Sequence, residues 1–355
     1  MGNKNNSMLA AVFHGPSNIK VEEVPVVASN KTLLKVNVCA VCAYDARVFR
    51  NGHRKVSPPI ILGHELSGEI QCDVMAHGMT IKAGTRVALC PLVPCLVCPY
   101  CQNGQHNLCM NLKEIGSTID GGFAQLVAIP EQIIRIGGIV PVPDELSDEE
   151  AALLEPLACC LNSLSILAPK KSKPVVIIGD GPMGLIHLQL FKKLEGMRVA
   201  VVGKVPSRID KARSMGADVA LCYEESNIDT IIHEISDFTG PTGAGIAIIA
   251  TSNPTAIEFA TRIVGKDSKI NVFAGMPSGQ MFQLDSNWLH YNQISVTGSF
   301  SSTPTMLQEA ARIATEKIVD LSQIVSHRYA LEEIQKAMIT TERYYGLRAV
   351  INKFT

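Results

Sequence analysis

A glycine-rich turn between an apolar strand and an apolar helical segment constrains the fold of this chain more than any other feature. The turn follows residues 175 to 178, precedes residues 185 to 194, and matches the pattern G-x-G-x-x-G. In this context the first glycine permits a tight turn, the second lets the backbone approach a pyrophosphate, and the third allows close helix packing. The sequence therefore predicts a dinucleotide-binding βαβ unit. The residues expected at the phosphates of NAD or NADP are Gly179, Gly181, Pro182, Met183 and Gly184.

Apolar periodicity around this turn predicts an α/β fold. From residue 173 to about residue 276, short apolar strands alternate with helical segments, which indicates parallel βαβ units and a doubly wound sheet. A strand at residues 294 to 296, a helix near residues 304 to 315 and a tail that returns to the first domain should follow. The strands predicted within the alternating region are residues 175–178, 199–202, 219–222, 246–250 and 270–273.

The part of the chain before this region differs in composition and predicts mostly strands. Residues 10 to 143 are rich in Val, Ile, Gly and Pro, with short apolar runs such as residues 33 to 38, which predicts a β-rich domain with long loops. Ser147 and Glu150 form a capping box that predicts a helix over residues 151 to 167, opening the second domain. A chain of 355 residues with 46% hydrophobic content is long enough for two domains.

Composition excludes several classes of partner. The formal net charge is −1, and no run of Lys or Arg forms the basic patch typical of nucleic-acid binders. No stretch approaches the roughly 18 continuous apolar residues of a membrane span, and residues 1 to 7 are polar, unlike a secretory signal. We therefore expect a cytoplasmic protein that acts on a small molecule, with neither a nucleic acid nor a membrane as partner.

Four of the eleven cysteines share one short loop. Four thiolates complete the tetrahedral coordination of zinc and leave no position for water, which is typical of a structural site. The regular spacing disfavours a set of simple buried thiols, whereas an iron–sulfur cluster also takes four cysteines and stays open as an alternative. The four residues are Cys95, Cys98, Cys101 and Cys109.

The end of the second predicted strand of the dinucleotide unit lacks an acid. About 20 residues after the glycine turn, a carboxylate normally accepts the adenosine ribose hydroxyls. This chain has Val202-Gly203-Lys204 there, so the sequence places no carboxylate in that slot. Gly203 leaves room, and Lys204 with Ser207 and Arg208 could donate charge-assisted hydrogen bonds to a 2′-phosphate, which favours NADP over NAD. Ordinary solvated side chains at Lys204 and Arg208 are the alternative.

One thiol, one imidazole and one carboxylate indicate a second metal site. Cys42 lies in the first part of the chain, and His64 and Glu65 follow Gly63. These three groups suit a catalytic zinc that keeps one position open. A lone histidine beside apolar residues is usually just buried, and it is the combination with the four-cysteine loop that favours a metal.

The order of these motifs resembles that of the medium-chain zinc-dependent alcohol dehydrogenases over essentially the whole chain. The motifs are Cys42, Gly63-His64-Glu65, the four cysteines and the glycine turn. The resemblance implies a GroES-like catalytic domain that holds two zinc ions per subunit, joined to a Rossmann domain, with the active site in the cleft between them. On this basis we assign residues 1–150 and 298–355 to the catalytic domain and residues 151–297 to the Rossmann domain.

Glu155-Pro156-Leu157-Ala158 resembles the sorbitol and threonine dehydrogenase branch of that family. In that branch the position of Glu155 carries an acid near the zinc, where other alcohol dehydrogenases have a cysteine ligand. The resemblance therefore implies that Cys42, His64 and Glu65 bind the catalytic zinc, with Glu155 coordinating directly or through water. A surface carboxylate early in a capped helix is the alternative for Glu155.

Two positions depart from the family pattern. The zinc cysteine is usually followed by Gly and then Ser or Thr, whose hydroxyl begins a proton relay, whereas this chain has Ala43-Tyr44. Tyr44 either passes the proton through its phenol or packs while water carries the proton. Arg47 stands where many relatives place a relay histidine, and its guanidinium suits the cofactor or a charged substrate.

These features predict a zinc-dependent oxidoreductase that transfers a hydride between NAD(P) and a secondary alcohol of the polyol, cyclitol or sugar-alcohol type. The proton would leave through Tyr44, Glu155 or water. The alternatives are a threonine, amino-alcohol or diol dehydrogenase that uses NAD, and a non-catalytic nucleotide-binding relative.

The resemblance also implies a homodimer or homotetramer formed through the edge of the Rossmann sheet. The predicted strand at residues 294 to 296 is the candidate edge. Polar and aromatic residues just before it are expected in a cleft or a subunit contact, and these are Asn287, His290, Tyr291 and Asn292.

Overall fold

The structure is a computed structural model that describes residues 7–26, 32–76 and 78–355. The polar start of the chain, residues 1 to 7, lies outside the described residues apart from Ser7. The strands are β1 (Ser7–Gly15), β2 (Asn18–Pro25), β3 (Thr32–Val41), β4 (Ile60–Ile61), β5 (Glu65–Ile70), β6 (Val74–Ala76), β7 (Met79–Ile81), β8 (Arg86–Leu89), β9 (Leu92–Val93), β10 (Lys113–Glu114), β11 (Leu126–Ile129), β12 (Ile139–Pro141), β13 (Val175–Ile178), β14 (Val199–Gly203), β15 (Val219–Cys222), β16 (Ala244–Ile249), β17 (Val264–Val272), β18 (Ser295–Gly298), β19 (Val325–Ala330) and β20 (Arg348–Lys353).

The α-helices are mostly short. Within the described ranges, none of them is both long enough and apolar enough to cross a membrane. They are α1 (Ala43–Asn51), α2 (Pro99–Gln102), α3 (Glu131–Arg135), α4 (Asp148–Ala152), α5 (Leu154–Leu167), α6 (Pro182–Gln189), α7 (Pro206–Ser214), α8 (Ile228–Thr239), α9 (Thr255–Ile263), α10 (Ser286–Asn292), α11 (Pro304–Thr315) and α12 (Ile334–Glu342).

Contacts between residues divide the chain into two compact units. The first unit comprises Met1–Ala158, Ser302–Lys317 and Leu321–Thr355, and the second comprises Cys159–Ser301 and Ile318–Asp320. The main divisions therefore fall after residues 158 and 301, a few residues later than the boundaries at 150 and 297 expected from the sequence. The first division lies inside α5.

The first unit is built around a mixed sheet with β3 near its centre. The strand order is β12-β8-β5-β3-β20-β19, and β11 also pairs with β3. Strand β20, from the C-terminal tail, runs antiparallel to the end of β3, with Ala349 opposite Val41. This pairing brings the start of β20 beside the residues that follow β3. The core of this unit includes the buried side chains of Phe13, Leu34, Leu66 and Phe123.

The second unit contains a six-stranded parallel sheet with the order β15-β14-β13-β16-β17-β18. Every residue of β13, β14 and β16 is buried. Continuous runs of Val, Ile and Ala are typical of parallel strands that are covered on both faces. The arrangement confirms the predicted α/β fold, in which a β-rich domain accompanies a doubly wound parallel sheet.

The helix predicted over residues 151 to 167 is two helices, α4 and α5, which meet at Leu153. The predicted capping box is present, because Ser147 Oγ accepts the N–H of Glu150 and the Glu150 carboxylate accepts the N–H of Ser147. Glu150 also pairs with Lys317 at 3.0 Å. The interruption after α4 puts Glu155 in the first turn of α5.

Candidate functional site

The helix cap of α1 holds Cys42 at the end of strand β3. The backbone N–H of Cys42 donates to the carboxylate of Asp45 at 2.9 Å, which is the acidic half of a capping box. The helix ends at Asn51 and is capped by Gly52, whose φ of 71° lies in the region that favours glycine. The position of the Cys42 thiol is therefore set by the strand before it and by its own helix cap.

His64 is oriented by the same carboxylate that caps α1. Asp45 is fully buried, and its Oδ1 lies 3.4 Å from His64 Nδ1. Burial opposes the charged form of His64, but Asp45 and Cys42 together outweigh this effect and raise the His64 pKa well above its usual value. A carboxylate on one ring nitrogen fixes the tautomer and leaves the other nitrogen for a metal.

Glu65 begins β5 and pairs with a buried arginine from β20. The Glu65 Oε1 atom lies 3.3 Å from Arg348 Nη2, and both side chains are almost fully buried. Arg348 also donates to the carbonyl of Val41 at 3.2 Å. Burial lowers the pKa of Arg348, but the negative charges of Glu65 and Cys42 outweigh it and raise that pKa overall.

Together these residues fit a zinc ion. One ligand atom each from Cys42, His64 and Glu65 lies within 4.8 Å of the other two. Ligands of tetrahedral zinc are about 3.4 to 3.8 Å apart, so small side-chain adjustments complete the geometry. The second carboxylate oxygen of Glu65, Oε2, is buried and has no hydrogen-bond partner, which a cation would supply.

Glu155 lies outside this three-residue cluster of described residues, although it is buried. Its charge raises the pKa of Arg348, after the larger effects of Glu65 and Cys42, so the carboxylate belongs to the same electrostatic environment. The surface alternative for Glu155 therefore does not describe its position.

Tyr44 joins the cluster to a polar chain that reaches the surface. Its hydroxyl lies 2.8 Å from Ser117 Oγ and 3.3 Å from His53 Nδ1. Its ring meets the His64 ring edge to face, with centroids 5.8 Å apart. Burial raises the pKa of Tyr44, which keeps the phenol protonated, whereas partial desolvation and nearby cations lower the pKa of the exposed His53.

The four loop cysteines converge on one point. Their sulfur atoms lie within 4.8 Å of one another, and the backbone N–H of Cys95 donates to Cys109 Sγ at 3.1 Å. Backbone N–H groups, first that of Met110, lower the pKa of Cys98 to about 6. Burial raises the pKa of Cys101 to about 12, which a divalent cation at the centre would offset.

The glycine turn connects β13 to α6 as the sequence predicts. Gly179 has a φ of 130°, and a Cβ on Gly184 would overlap the carbonyl of Gly179. Pro182 is the first residue of α6, with Gly181 at the cap. Met183 is the second residue of that helix, half-buried beside these two. The turn therefore offers a helix N-terminus with close backbone approach, the arrangement that accepts a pyrophosphate.

The space beside Gly203 holds a carboxylate, which corrects the expectation of an empty slot. A Cβ at Gly203 would overlap the side chain of Asp180, the second residue of the glycine turn. Arg208 is buried and lies 4.0 Å from this carboxylate, so it is not an ordinary solvated side chain. Lys204 is exposed, with its ammonium 5.2 Å from the ring centre of Tyr223.

Comparisons with known proteins agree with this geometry. Residues 28–144 match the model of the alcohol dehydrogenase GroES-like domain, and residues 182–316 match that of the zinc-binding dehydrogenases. Sorbitol dehydrogenase of Bacillus subtilis is 30% identical over 338 residues, which are 94% of this chain and 93% of that protein. The chain belongs to the zinc-dependent medium-chain alcohol dehydrogenases. This confirms the resemblance of the sequence motifs to that family.

Two further medium-chain dehydrogenases show the breadth of the similarity. D-arabitol-phosphate dehydrogenase of Enterococcus avium is 29% identical over 320 residues. The aligned residues are 88% of this chain and 87% of that protein. A zinc-binding dehydrogenase of Sinorhizobium meliloti 1021, whose structure contains NADP, is 26% identical with a TM-score of 0.86. Here the alignment covers 98% of this chain and 99% of that chain.

The site of this dehydrogenase also contains several residues that the sequence did not predict. The signal for Asp45 was readable, because an acid three residues after Cys42 is a helix-capping pattern. No local pattern identifies Arg348, which arrives from the far end of the chain. The missed residues are Asp45, His53, Ser117, Asp180 and Arg348.

Proposed function

We propose that this medium-chain dehydrogenase oxidises a secondary alcohol of the polyol, cyclitol or sugar-alcohol type, with NAD or NADP as the hydride acceptor. The observation that carries the proposal is the convergence of Cys42, His64 and Glu65, with Glu65 Oε2 buried and without a hydrogen-bond partner. Relatives named sorbitol dehydrogenase and D-arabitol-phosphate dehydrogenase support the polyol class.

The two clusters support two zinc ions per chain. We assign Cys42, His64 and Glu65 to the catalytic ion, Glu155 to a position near it, and the four loop cysteines to the structural ion. When bound, the catalytic zinc supplies a Lewis acid that lowers the pKa of the substrate hydroxyl. Asp45 orients His64, and Arg348 offsets the buried charge of Glu65.

When bound, the nicotinamide cofactor accepts the hydride, and residues of the glycine turn hold its pyrophosphate. The dinucleotide site comprises Gly179, Gly181, Pro182, Met183 and Gly184, with Gly203, Lys204 and Arg208 at the adenosine ribose. The structure of the Sinorhizobium meliloti relative contains NADP. In this chain, the choice between NAD and NADP depends on the residues around Gly203.

The proton leaves through Tyr44 and His53. Tyr44 Oη lies 3.3 Å from His53 Nδ1, so the phenol can receive a proton on one side and donate one on the other. His53 is exposed and its pKa is below the usual value, because desolvation and the charges of Lys55 and Arg54 disfavour its protonated form. At neutral pH it is therefore an uncharged acceptor that can release the proton to water.

Replacing His53 with alanine should lower the turnover number at pH 7 by roughly tenfold to a hundredfold, because water then replaces the last acceptor. The loss should shrink as the pH rises, since hydroxide can take the proton directly. Tyr44→Phe should give a similar loss, and the double variant little more, because both residues serve one path. Steady-state pH profiles of the four proteins measure this, and additive losses would contradict a shared path.

A second candidate substrate class is an anionic polyol, such as a phosphate ester or a sugar acid. Arg47, Arg54 and Lys55 are exposed, and their charges all act on His53. Glu114 is the opposing acid. This excess of cations beside Tyr44 suits a substrate with a negative terminal group. Arg47, which stands where many relatives have a relay histidine, could bind such a group through its guanidinium.

The direct test is a spectrophotometric survey at the nicotinamide absorbance. Zinc-loaded protein is mixed with neutral polyols, polyol phosphates, cyclitols, amino alcohols and diols, each with NAD and with NADP. Turnover of a polyol supports the proposal, and turnover of threonine or a diol alone replaces it with that alternative. Absence of turnover together with about one zinc per chain would favour a non-catalytic nucleotide-binding protein.

The edge strand β18 supports a homodimer or homotetramer. It ends the strand order of the second unit, and apolar side chains that precede it in the sequence are exposed, including Met281 at 91% and Tyr291 at 75%. Asn287 and His290 are exposed on α10, as a subunit contact requires, whereas Asn292 is half-buried and lines a surface cavity with Trp288 and Ile294. Pairing of β18 with a second copy would cover these groups. Sedimentation at the monomer mass would contradict this.

A cytoplasmic location is proposed on the chemistry of the thiols. The two described clusters bring together five thiols, one imidazole and one carboxylate in positions to bind metal. Thiolates in such clusters persist in a reducing compartment.

A further inference from the structure

An acid from an unusual place lies beside the end of strand β14. In a Rossmann unit the ribose lies beside the end of the second strand, where an acid normally accepts its hydroxyls. Here that strand is β14, and it ends in Gly203. The neighbouring carboxylate is that of Asp180, which belongs to the glycine turn and not to the strand.

The side chain of Asp180 fills the volume that a strand-end side chain would occupy. A Cβ added to Gly203 would overlap Cβ, Cγ and Oδ2 of Asp180, so residue 203 can only be glycine while Asp180 keeps this position. The Asp180 Oδ2 atom accepts the N–H of Val205 at 2.7 Å, which fixes the carboxylate against the start of α7. Its side chain is only 11% exposed. The acid is thus held in a defined position.

The charges around Asp180 disfavour a second phosphate. Arg208 Nη1 lies 4.0 Å from Asp180 Oδ1, and the Arg208 side chain is 6% exposed. The pair is close to neutral, so Arg208 is no longer a dedicated partner for a 2′-phosphate, which would bring nearly two negative charges beside the carboxylate. The Lys204 ammonium lies over the ring of Tyr223. A carboxylate has about four acceptor positions, so Asp180 can still accept a ribose hydroxyl.

We propose that Asp180 is the ribose-binding acid of this protein and makes it prefer NAD over NADP, the reverse of the preference inferred from Lys204 and Arg208 in the sequence. The inference rests on the proposed function, since it assigns the cofactor of the same dehydrogenase. Asp180 replaces the strand-end acid from the opposite side of the same slot. Gly203 is the residue that makes room for it.

The test measures binding and not turnover. Isothermal titration of the zinc-loaded full chain with NADH and with NADPH gives the two dissociation constants. The wild type should bind NADH at least about tenfold more tightly, as expected when one charge-assisted hydrogen bond is replaced by repulsion. Asp180→Asn keeps the shape and removes the charge, so it should weaken NADH binding, strengthen NADPH binding and change their ratio by about tenfold.

Asp210→Asn is the matched control, because Asp210 is an exposed acid on α7 that pairs with Arg213. Its ratio of NADH to NADPH affinity should equal that of the wild type. Tighter binding of NADPH by the wild type overturns the inference, as does an equal loss of both affinities in Asp180→Asn, which would mark a merely structural role. These results leave the proposed function standing, whereas failure to bind either dinucleotide contradicts both.

Discussion

Replacing Cys42 with alanine should lower turnover by at least about 10³-fold, which corresponds to about 4 kcal/mol of transition-state stabilisation. Bound zinc should fall from two ions to one per chain, because the four-cysteine loop is untouched. The physical reason is the loss of the only thiol in the catalytic cluster, which leaves His64 and Glu65 as two ligands. Steady-state kinetics and metal analysis of the purified variant measure both effects.

Cys72→Ala is the matched control, because Cys72 is an exposed free cysteine outside both clusters. It should keep both ions and full activity. If Cys42→Ala keeps two zinc ions and wild-type turnover, the assignment of the catalytic cluster is wrong. Circular dichroism of the variant separates loss of the metal from loss of the fold.

The same metal analysis separates the roles of Glu65 and Glu155. Glu65 belongs to the cluster and has a carboxylate oxygen without a hydrogen-bond partner, so Glu65→Gln should lose the catalytic ion. Glu155 lies outside the cluster, so Glu155→Gln should keep two ions while its turnover falls. Loss of zinc from Glu155→Gln instead would show that Glu155 is the direct ligand.

The parallel strands were the most predictable part of the fold. Residues 175 to 178 and 219 to 222 were predicted as strands and are β13 and β15 with the same bounds. A buried parallel strand requires a continuous apolar run with turn residues at both ends. The local sequence therefore determines where such a strand begins and ends. The break between α4 and α5 at Leu153 was not predicted, although Pro156 is a local signal for it, because proline has no N–H to donate to the carbonyl of Ala152.

The candidate site was predictable where its residues form short motifs. The cysteine spacing and the Gly63-His64-Glu65 segment identify ligand types without knowledge of the fold. Arg348 was not predictable, because it meets Glu65 only after β20 pairs with β3. The contact is set by sheet topology and not by any local pattern.

Asp180 shows a subtler limit of sequence reading. The absence of an acid at Gly203 was read as space for a phosphate, whereas the structure fills that space with a side chain from the glycine turn. Protein interiors are densely packed, so a glycine in a buried position often means that a neighbour occupies the missing volume. An acid inside the G-x-G pattern, together with a glycine at the end of the second strand, therefore indicates that the acid fills the volume beside that glycine.

Acidification should destabilise the second unit through His187. This residue of α6 is completely buried, and desolvation lowers its pKa to about 4. Its Nδ1–H donates to the carbonyl of Met183 at 2.8 Å, while Nε2 is buried without a hydrogen-bond partner. Protonation at Nε2 would therefore bury a charge and leave its N–H group without an acceptor.

The sign follows from the two pKa values. In the unfolded chain a histidine has a pKa near 6.5, so between pH 6.5 and about 4 the unfolded state binds more protons than the folded state. The free energy of unfolding should therefore fall as the pH drops through this window, by about 3 kcal/mol in total for this one group. Above pH 6.5 the contribution of His187 should not change with pH.

Comparison of variants isolates this effect from the loss of zinc at low pH. His187→Gln keeps a hydrogen-bond donor but cannot be protonated, so its stability relative to the wild type should improve by about 3 kcal/mol between pH 7 and pH 4. His233→Gln removes an exposed histidine of α8 and should show no such change. Urea unfolding followed by amide exchange in α6 measures the difference at each pH. Parallel pH curves for wild type and His187→Gln would show that the buried imidazole does not control acid stability, because every other titrating group, including the zinc thiolates, is common to both proteins.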